Sequence, residues 1–252
     1  MRRFAFLVCS AGSLAFASAS AAAQSASFEV SKLGHPVGTA SFNFTATKDG
    51  YDSTSLVRVS MTGLDYALSK TESLSAANQL HHVQLSAIVN GEAVNVTAAP
   101  DQAQLLLNIS AGGRSATTRL DAHAAAVFLA DFDPGALETL LALGVSNNNR
   151  DLWAILPKQS GTASASVNPI QLATYADEQG TLDGEPITVH HLVATIAGTN
   201  TDIFSGPENQ LLQAELPQQG FALVRKGFVL TPPAKPPAPS SCLLVAYYGI
   251  LC

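Results

Sequence analysis

Tight-turn chemistry punctuates this chain almost from end to end. Lys48-Asp49-Gly50, Asn90-Gly91, Ala111-Gly112-Gly113 and Leu182-Asp183-Gly184 each separate stretches rich in Val, Thr, Leu, Ile and aromatic residues. Asn-Gly and Asp-Gly supply the positive φ that two-residue hairpins need, so each marks a place where a strand reverses onto itself. A chain built this way is restricted to a mainly antiparallel β fold.

The stretches between the turns alternate as strands must. Over residues 37–47, Phe42 and Phe44 share one face and Ser41, Asn43 and Thr45 the other. Over 51–61, Val57, Val59 and Met61 oppose Arg58 and Ser60. The same pattern predicts strands over 27–32, 80–89, 92–98, 103–110 and 114–121, and a weaker one over 64–74. Later strands are expected at 151–156, 170–175, 186–197, 210–216 and 220–230, with a loop or weak edge over 160–168. Three sequons, at Asn43, Asn95 and Asn108, read as polar positions on the outward faces of such strands.

One segment breaks the period of two. Asp133 suits a helix N-cap, Pro134 the first helical position and Gly144 the C-terminal cap. Leu137, Leu140 and Leu141 between them form an apolar stripe that packs on a sheet. The expected fold is a highly curved antiparallel sheet, or an open half-barrel, with one short helix.

The ends of the chain are of different composition. Residues 1–23 read as a secretory signal: Arg2 and Arg3, then a short apolar run, then Ala21-Ala22-Ala23 as the cleavage site. This predicts a periplasmic or secreted bacterial protein whose folded domain occupies 24–230. Residues 231–241 form a Pro-rich linker, and 242–252 an apolar tail bounded by Cys242 and Cys252. The tail is too short to span a bilayer as a helix. Its two cysteines are a possible disulfide in an oxidising compartment. Loss of Arg2 and Arg3 takes the net charge from −6 to −8, which argues against nucleic acid as a partner.

Chemistry is sparsely signalled. The chain has no G-x-S-x-G elbow, P-loop, G-x-G-x-x-G, H-E-x-x-H or C-x-x-C. No cofactor is expected, and catalysis is not the leading expectation. The candidate metal ligands are His81, His82, His190 and His191, joined by Asp131. Adjacent strand residues face opposite ways, so each pair is expected to send one imidazole inward. A metal-dependent hydrolase follows only if the two strands are neighbours. The leading expectation is a non-enzymatic protein that binds an apolar or lipid-like ligand, or an envelope accessory factor, with the hydrolase as its alternative. An incompletely closed sheet has an apolar concave face, and its candidate lining residues are Phe42, Phe44, Val57, Val59, Leu105, Leu107, Leu137 and Leu141. A third possibility is an interaction module working through the C-terminal tail.

The run of hairpins, the Asp-Pro-started helix and the closing segment from Asp202-Ile203-Phe204 through Leu211-Leu212-Gln213-Ala214-Glu215-Leu216-Pro217 to Phe221-Ala222-Leu223-Val224-Arg225 carry a family likeness. In this arrangement the chain resembles the periplasmic unclosed-barrel proteins, among them lipoprotein carriers of the LolA/LolB type. The resemblance implies a half-barrel over a helix, a lipid-like ligand and an envelope role. The carriers have several lid helices, and this chain has one.

Overall fold

The computed structural model describes residues 24–146, 148, 150–158 and 164–232. The proposed signal, the apolar tail with Cys242 and Cys252, and most of the Pro-rich linker lie outside these residues.

Eight strands follow one another as a meander: β1 (Ser25–Lys32), β2 (His35–Ala46), β3 (Gly50–Met61), β4 (Leu64–Ser75), β5 (Leu80–Val89), β6 (Glu92–Asp101), β7 (Gln104–Ala111) and β8 (Arg114–Asp121). Each pairs antiparallel with the next. The Asn90-Gly91 turn has φ of 51° and 85°, as the sequence predicts. Burial alternates along residues 52–60 of β3 and 82–88 of β5, because one face is packed and the other meets solvent.

The second half is less local. A short β9 (Ala126–Phe128) leads to α1 (Pro134–Leu141), a π-helical turn over Ala142–Ser146, and β10 (Leu152–Pro157). β9 and β10 are parallel, which makes the sheet mixed at this one pair. There follow β11 (Ala165–Thr174), β12 (Glu178–Leu182), β13 (Glu185–Ile196), β14 (Thr199–Ser205), β15 (Leu211–Leu216), β16 (Phe221–Arg225) and β17 (Phe228–Leu230). β16 returns to pair with β1, with Phe28 opposite Arg225. β12 pairs with both β13 and β17.

These pairings make one sheet that does not close. Its curvature follows from distance. β4 and β9 are ten strand positions apart along the pairing path through β1 and β16, about 48 Å in a flat sheet. Yet Lys70 Nζ on β4 donates to the Phe128 carbonyl on β9 at 3.3 Å. The sheet therefore wraps around its contents, and α1 sits inside the curve against β2, β3, β9 and β15. All eight helix residues are buried.

Four local expectations need correction. Gly144 does not cap the helix. It lies within the π-helical turn, packed so closely that a Cβ there would fall 2.9 Å from Leu172 and 3.1 Å from Leu152. β11 begins at Ala165, inside the stretch read as a loop, because Ala165–Ile170 pairs with β10. The expected strand over 220–230 is two, broken at the Lys226-Gly227 turn. β4, the weak candidate, is a full twelve-residue strand. Its apolar alternation is interrupted only because Lys70 and Glu72 occupy inward positions.

Among the described residues, no helix is long and apolar enough to cross a membrane.

Candidate functional site

The concave face is the place to look for a site, and most of it is filled. Phe42, Val57, Val59, Leu105, Leu107, Leu137 and Leu141 are buried, and Phe44 is half-buried against them. Phe42 stacks on Phe28 with centroids 6.1 Å apart and meets Phe44 at 5.3 Å. These eight belong to one continuous core. Leu137 is the member that also walls the open cleft described below.

Asp133 organises the way α1 enters this core. Its carboxylate accepts from Gly135 N at 3.0 Å and Ala136 N at 3.2 Å, the N-cap expected from the sequence. The other carboxylate oxygen meets Lys70 Nζ at 2.5 Å, and Glu72 lies 2.9 Å from the same nitrogen. Thr139 Oγ1 donates to Gly135 O at 3.0 Å and approaches Glu72 at 3.5 Å. Burial opposes the charge of Lys70, but Asp133 and Glu72 overcome it and raise the ammonium above its ordinary range. Burial raises the Glu72 carboxyl, against the pull of Lys70. Ser55 and Ser53 sit directly across the β3–β4 ladder from Lys70 and Glu72, and both hydroxyls are buried without a partner. The helix rests on them: a Cβ at Gly135 would fall 2.5 Å from Ser55 Oγ.

No motif announces this cluster, but its signal was in the sequence. Tyr66, Leu68, Lys70, Glu72 and Leu74 share one parity, so an inward β4 face requires a buried cation and anion.

The chain turns into α1 through Asp131-Phe132-Asp133, and Phe132 has φ of 56°, uncommon for a bulky residue. Its ring meets Tyr66 at 5.8 Å and Phe221 at 4.8 Å, both edge-on. The Tyr66 hydroxyl donates to the Asp131 carbonyl at 3.2 Å. Lys32 lies 4.3 Å above the far aromatic, Phe221. Beside Phe132 opens a cleft of about 230 Å³, walled by Leu137, Leu156, Ile196, Leu216 and Leu223. The exposed Asp131 stands at its rim. Backbone strain held in place by aromatic packing marks this corner as a candidate binding position.

Glu138 is the second unforeseen acid. It projects from α1 to β15, where it accepts from Leu211 N at 2.7 Å. Burial pushes its carboxyl up to about 7, opposed by that hydrogen bond and by Arg225. Glu138 borders a smaller cleft of about 140 Å³ that includes Phe44.

The histidines do not converge. The β4–β5 register shifts between Ser73 and Leu74, so that Ser73 opposes His82 and Leu74 opposes Leu80. His81 is the extra residue of that bulge, and His81 and His82 are both exposed, contrary to the expected inward and outward pair. His190 and His191 do face different neighbours. His190 Nδ1 lies 2.9 Å from Asp177. His191 is stacked between Tyr175 and Phe204, its ring nitrogens 3.3 Å from Glu178 and 3.0 Å from Asp202. β5 and β13 are not paired, and Asp131 lies at the cleft, apart from either pair. His123 stacks on Trp153 at 3.8 Å. Among the described residues, no group of three His, Cys, Asp or Glu is placed to hold a metal.

No family model, curated protein or solved structure matches this chain.

Proposed function

We propose that this is an exported, non-enzymatic binding protein of the bacterial envelope, which holds one end of an apolar or lipid-like molecule in the cleft beside Phe132. The observation that carries this reading is the cleft's composition. Its apolar walls are Phe132, Leu137, Leu156, Ile196, Leu216 and Leu223, its polar lining is Asp133, Thr199, Thr201 and Gln219, and it opens to the surface beside Asp131. Ligand sites are typically apolar concavities with a few polar groups at one end. At about 230 Å³ the cleft suits a chain end better than a whole lipid. The likeness to unclosed-barrel carriers points the same way, with α1 in the place of their lids.

The test is native mass spectrometry of gently purified mature protein, with organic extraction of anything bound. The expected result is a discrete co-purifying lipid mass, lost in Thr201→Trp. Thr201 is a half-buried cleft position on β14, where an indole fills the space without removing core atoms. A clean apo mass, together with failure to bind a fluorescent fatty acid, overturns the proposal.

A further inference from the structure

The solvent face of the meander carries a pattern that neither the core nor the cleft requires. Two adjacent rows of side chains cross it from β1 to β8. In one row, Thr54, Thr71, Gln84, Thr97, Asn108 and Thr117 stand directly opposite one another on β3 to β8. Asn43 on β2 and Ser25 on β1 extend it. The second row runs through Ser69, Ser86, Asn95, Ser110 and Ser115. It continues through Leu56, Ser41 and Ser27. Every position but Leu56 is a hydroxyl or a carboxamide, and nearly all are exposed.

The strip is free of charge in a chain that is acidic overall. Charges border it instead. Glu29 and Arg58 lie in the row on one side, and Asp52 and Arg119 in the row on the other. Neighbouring side chains hold each other in place. Ser86 donates to Asn95 at 2.9 Å, Thr117 to Asn108 at 2.8 Å, and Ser115 to Ser110 at 3.2 Å. Shallow grooves crease this outer face. One, of about 630 Å³, follows Ser27, Ser41, Ser69, Ser86 and Asn95, with Leu56 and Ile88 also lining it and Arg58 and Lys226 at its border. A second, of about 300 Å³, follows Asn95, Thr97, Asn108, Ser110 and Thr117.

We infer that this strip binds an uncharged, extended polysaccharide laid across the strands. Charge selects the class. The two rows hold no cation; Arg58 and Lys226 border only one groove, and Glu29 shares the row of Arg58, so an anionic polymer or nucleic acid gains no repeated phosphate- or carboxylate-type contact along the strip. With no aromatic and no arginine inside it, a protein partner lacks the usual anchors. Side chains that both donate and accept match sugar hydroxyls, which do the same. Periodicity selects a polymer. Equivalent groups recur at each strand, about 4.8 Å apart, over a strip about 34 Å long. A chain of identical neutral units can make the same contact many times, so individually weak bonds accumulate by multivalency. Leu56, 58% exposed, offers an apolar contact for the C–H face of a ring.

Native affinity electrophoresis of the full mature chain tests this, in gels cast with amylose, a linear β-glucan, a mannan or dextran. At least one neutral polymer should retard the protein. The double variant Thr71→Val, Thr97→Val removes two donor–acceptor hydroxyls with little change of shape and should bind it at least about tenfold more weakly, because the sugar hydroxyls they met would lose their partners. Thr188→Val, at an exposed position of β13, should bind as the parent does. Both substituted residues face solvent, so matching melting curves will show that the variants fold. The inference falls if no neutral polymer retards the parent chain, or if the double variant is retarded equally. It also falls if only an anionic polymer, dextran sulfate, retards the protein.

Discussion

The two halves of this sheet solve the same problem differently. In the meander from β1 to β8, one face is packed and the other is bare. In the half from β9 to β17, much of both faces is covered. Consecutive residues 211–214 on β15 are all buried, which strict alternation does not allow for a one-sided strand. The second cover is a small satellite core of Val189, Phe204, Leu212 and Phe228, set apart from the main cluster. β12 and β17, paired to each other, build it over the outer side. A hairpin-only topology leaves a face exposed, whereas non-local strands can fold back and cover it. The polar strip lies on the half that stays bare.

The halves meet at α1, which belongs to the second in sequence but rests on the first. This junction is where the comparison is most easily broken. Lys70→Met would leave the buried carboxylates of Glu72 and Asp133 without their cation. The expected cost is about 3–5 kcal/mol, read as the shift of a urea unfolding midpoint. The triple change Lys70→Met, Glu72→Leu, Asp133→Ser should recover most of it, since it removes both stranded acids and keeps a capping hydroxyl. If the single variant is as stable as the parent, the junction is not held by this cluster.

Glu138 ties the same helix to β15, and its effect depends on pH. Unfolded, the carboxyl ionises near 4.5; folded, it keeps its proton to about 7. Between these values the folded state binds the extra proton. Its contribution to stability is therefore whole below about pH 4.5, falls as pH rises to about 7, and is lost beyond. Glu138→Gln keeps an acceptor for Leu211 N and cannot ionise. Its stability relative to the parent should grow by up to about 3 kcal/mol from pH 4 to pH 8. Thermal melts of both proteins across that range check the sign. A constant difference between them would sink the assignment.

The seat of the helix on the meander should be nearly as sensitive. Gly135→Ala drives a methyl into Ser55, at an expected cost of about 1–3 kcal/mol by chemical denaturation. The smallest expected effect sharpens the contrast in turn chemistry. The meander turn uses Asn90, suited to positive φ, while the β13–β14 turn places Ala197 at φ 50°. Ala197→Asn should raise stability by about 1 kcal/mol, visible as a rise in melting temperature.

This contrast also explains what could be read from the sequence. The meander was legible because three of its seven pairings are announced by tight turns, at Lys48-Asp49-Gly50, Asn90-Gly91 and Ala111-Gly112-Gly113, and because alternation marks most of the strands between them. The helix start was legible because Asp133 and Pro134 are local signals. The return of β16 to β1 and the parallel meeting of β9 with β10 join residues distant in the chain, and no short pattern encodes them. The cluster around Lys70 was half legible. Parity places Lys70 and Glu72 inward, but Asp133 reaches them only through the curvature of the sheet. The first histidine pair misled because a one-residue bulge at His81 cancels the rule that neighbours point apart, and the second because β13 does not pair with β5. The uncharged strip was present as scattered Ser, Thr, Asn and Gln, five of them in sequons. Only the register aligns them.

The pairing of β1 with β16 gives the folding of this protein an order in time. Synthesis proceeds from the N-terminus, so β1 can pair with β2 early but must wait for nearly the whole domain before Arg225 arrives opposite Phe28. Until then one edge of β1 presents unpaired amides and carbonyls, a template for joining another chain. A fold closed by so distant a contact is a slow folder. Its exposure to aggregation is therefore set less by final stability than by how long that first edge stands open.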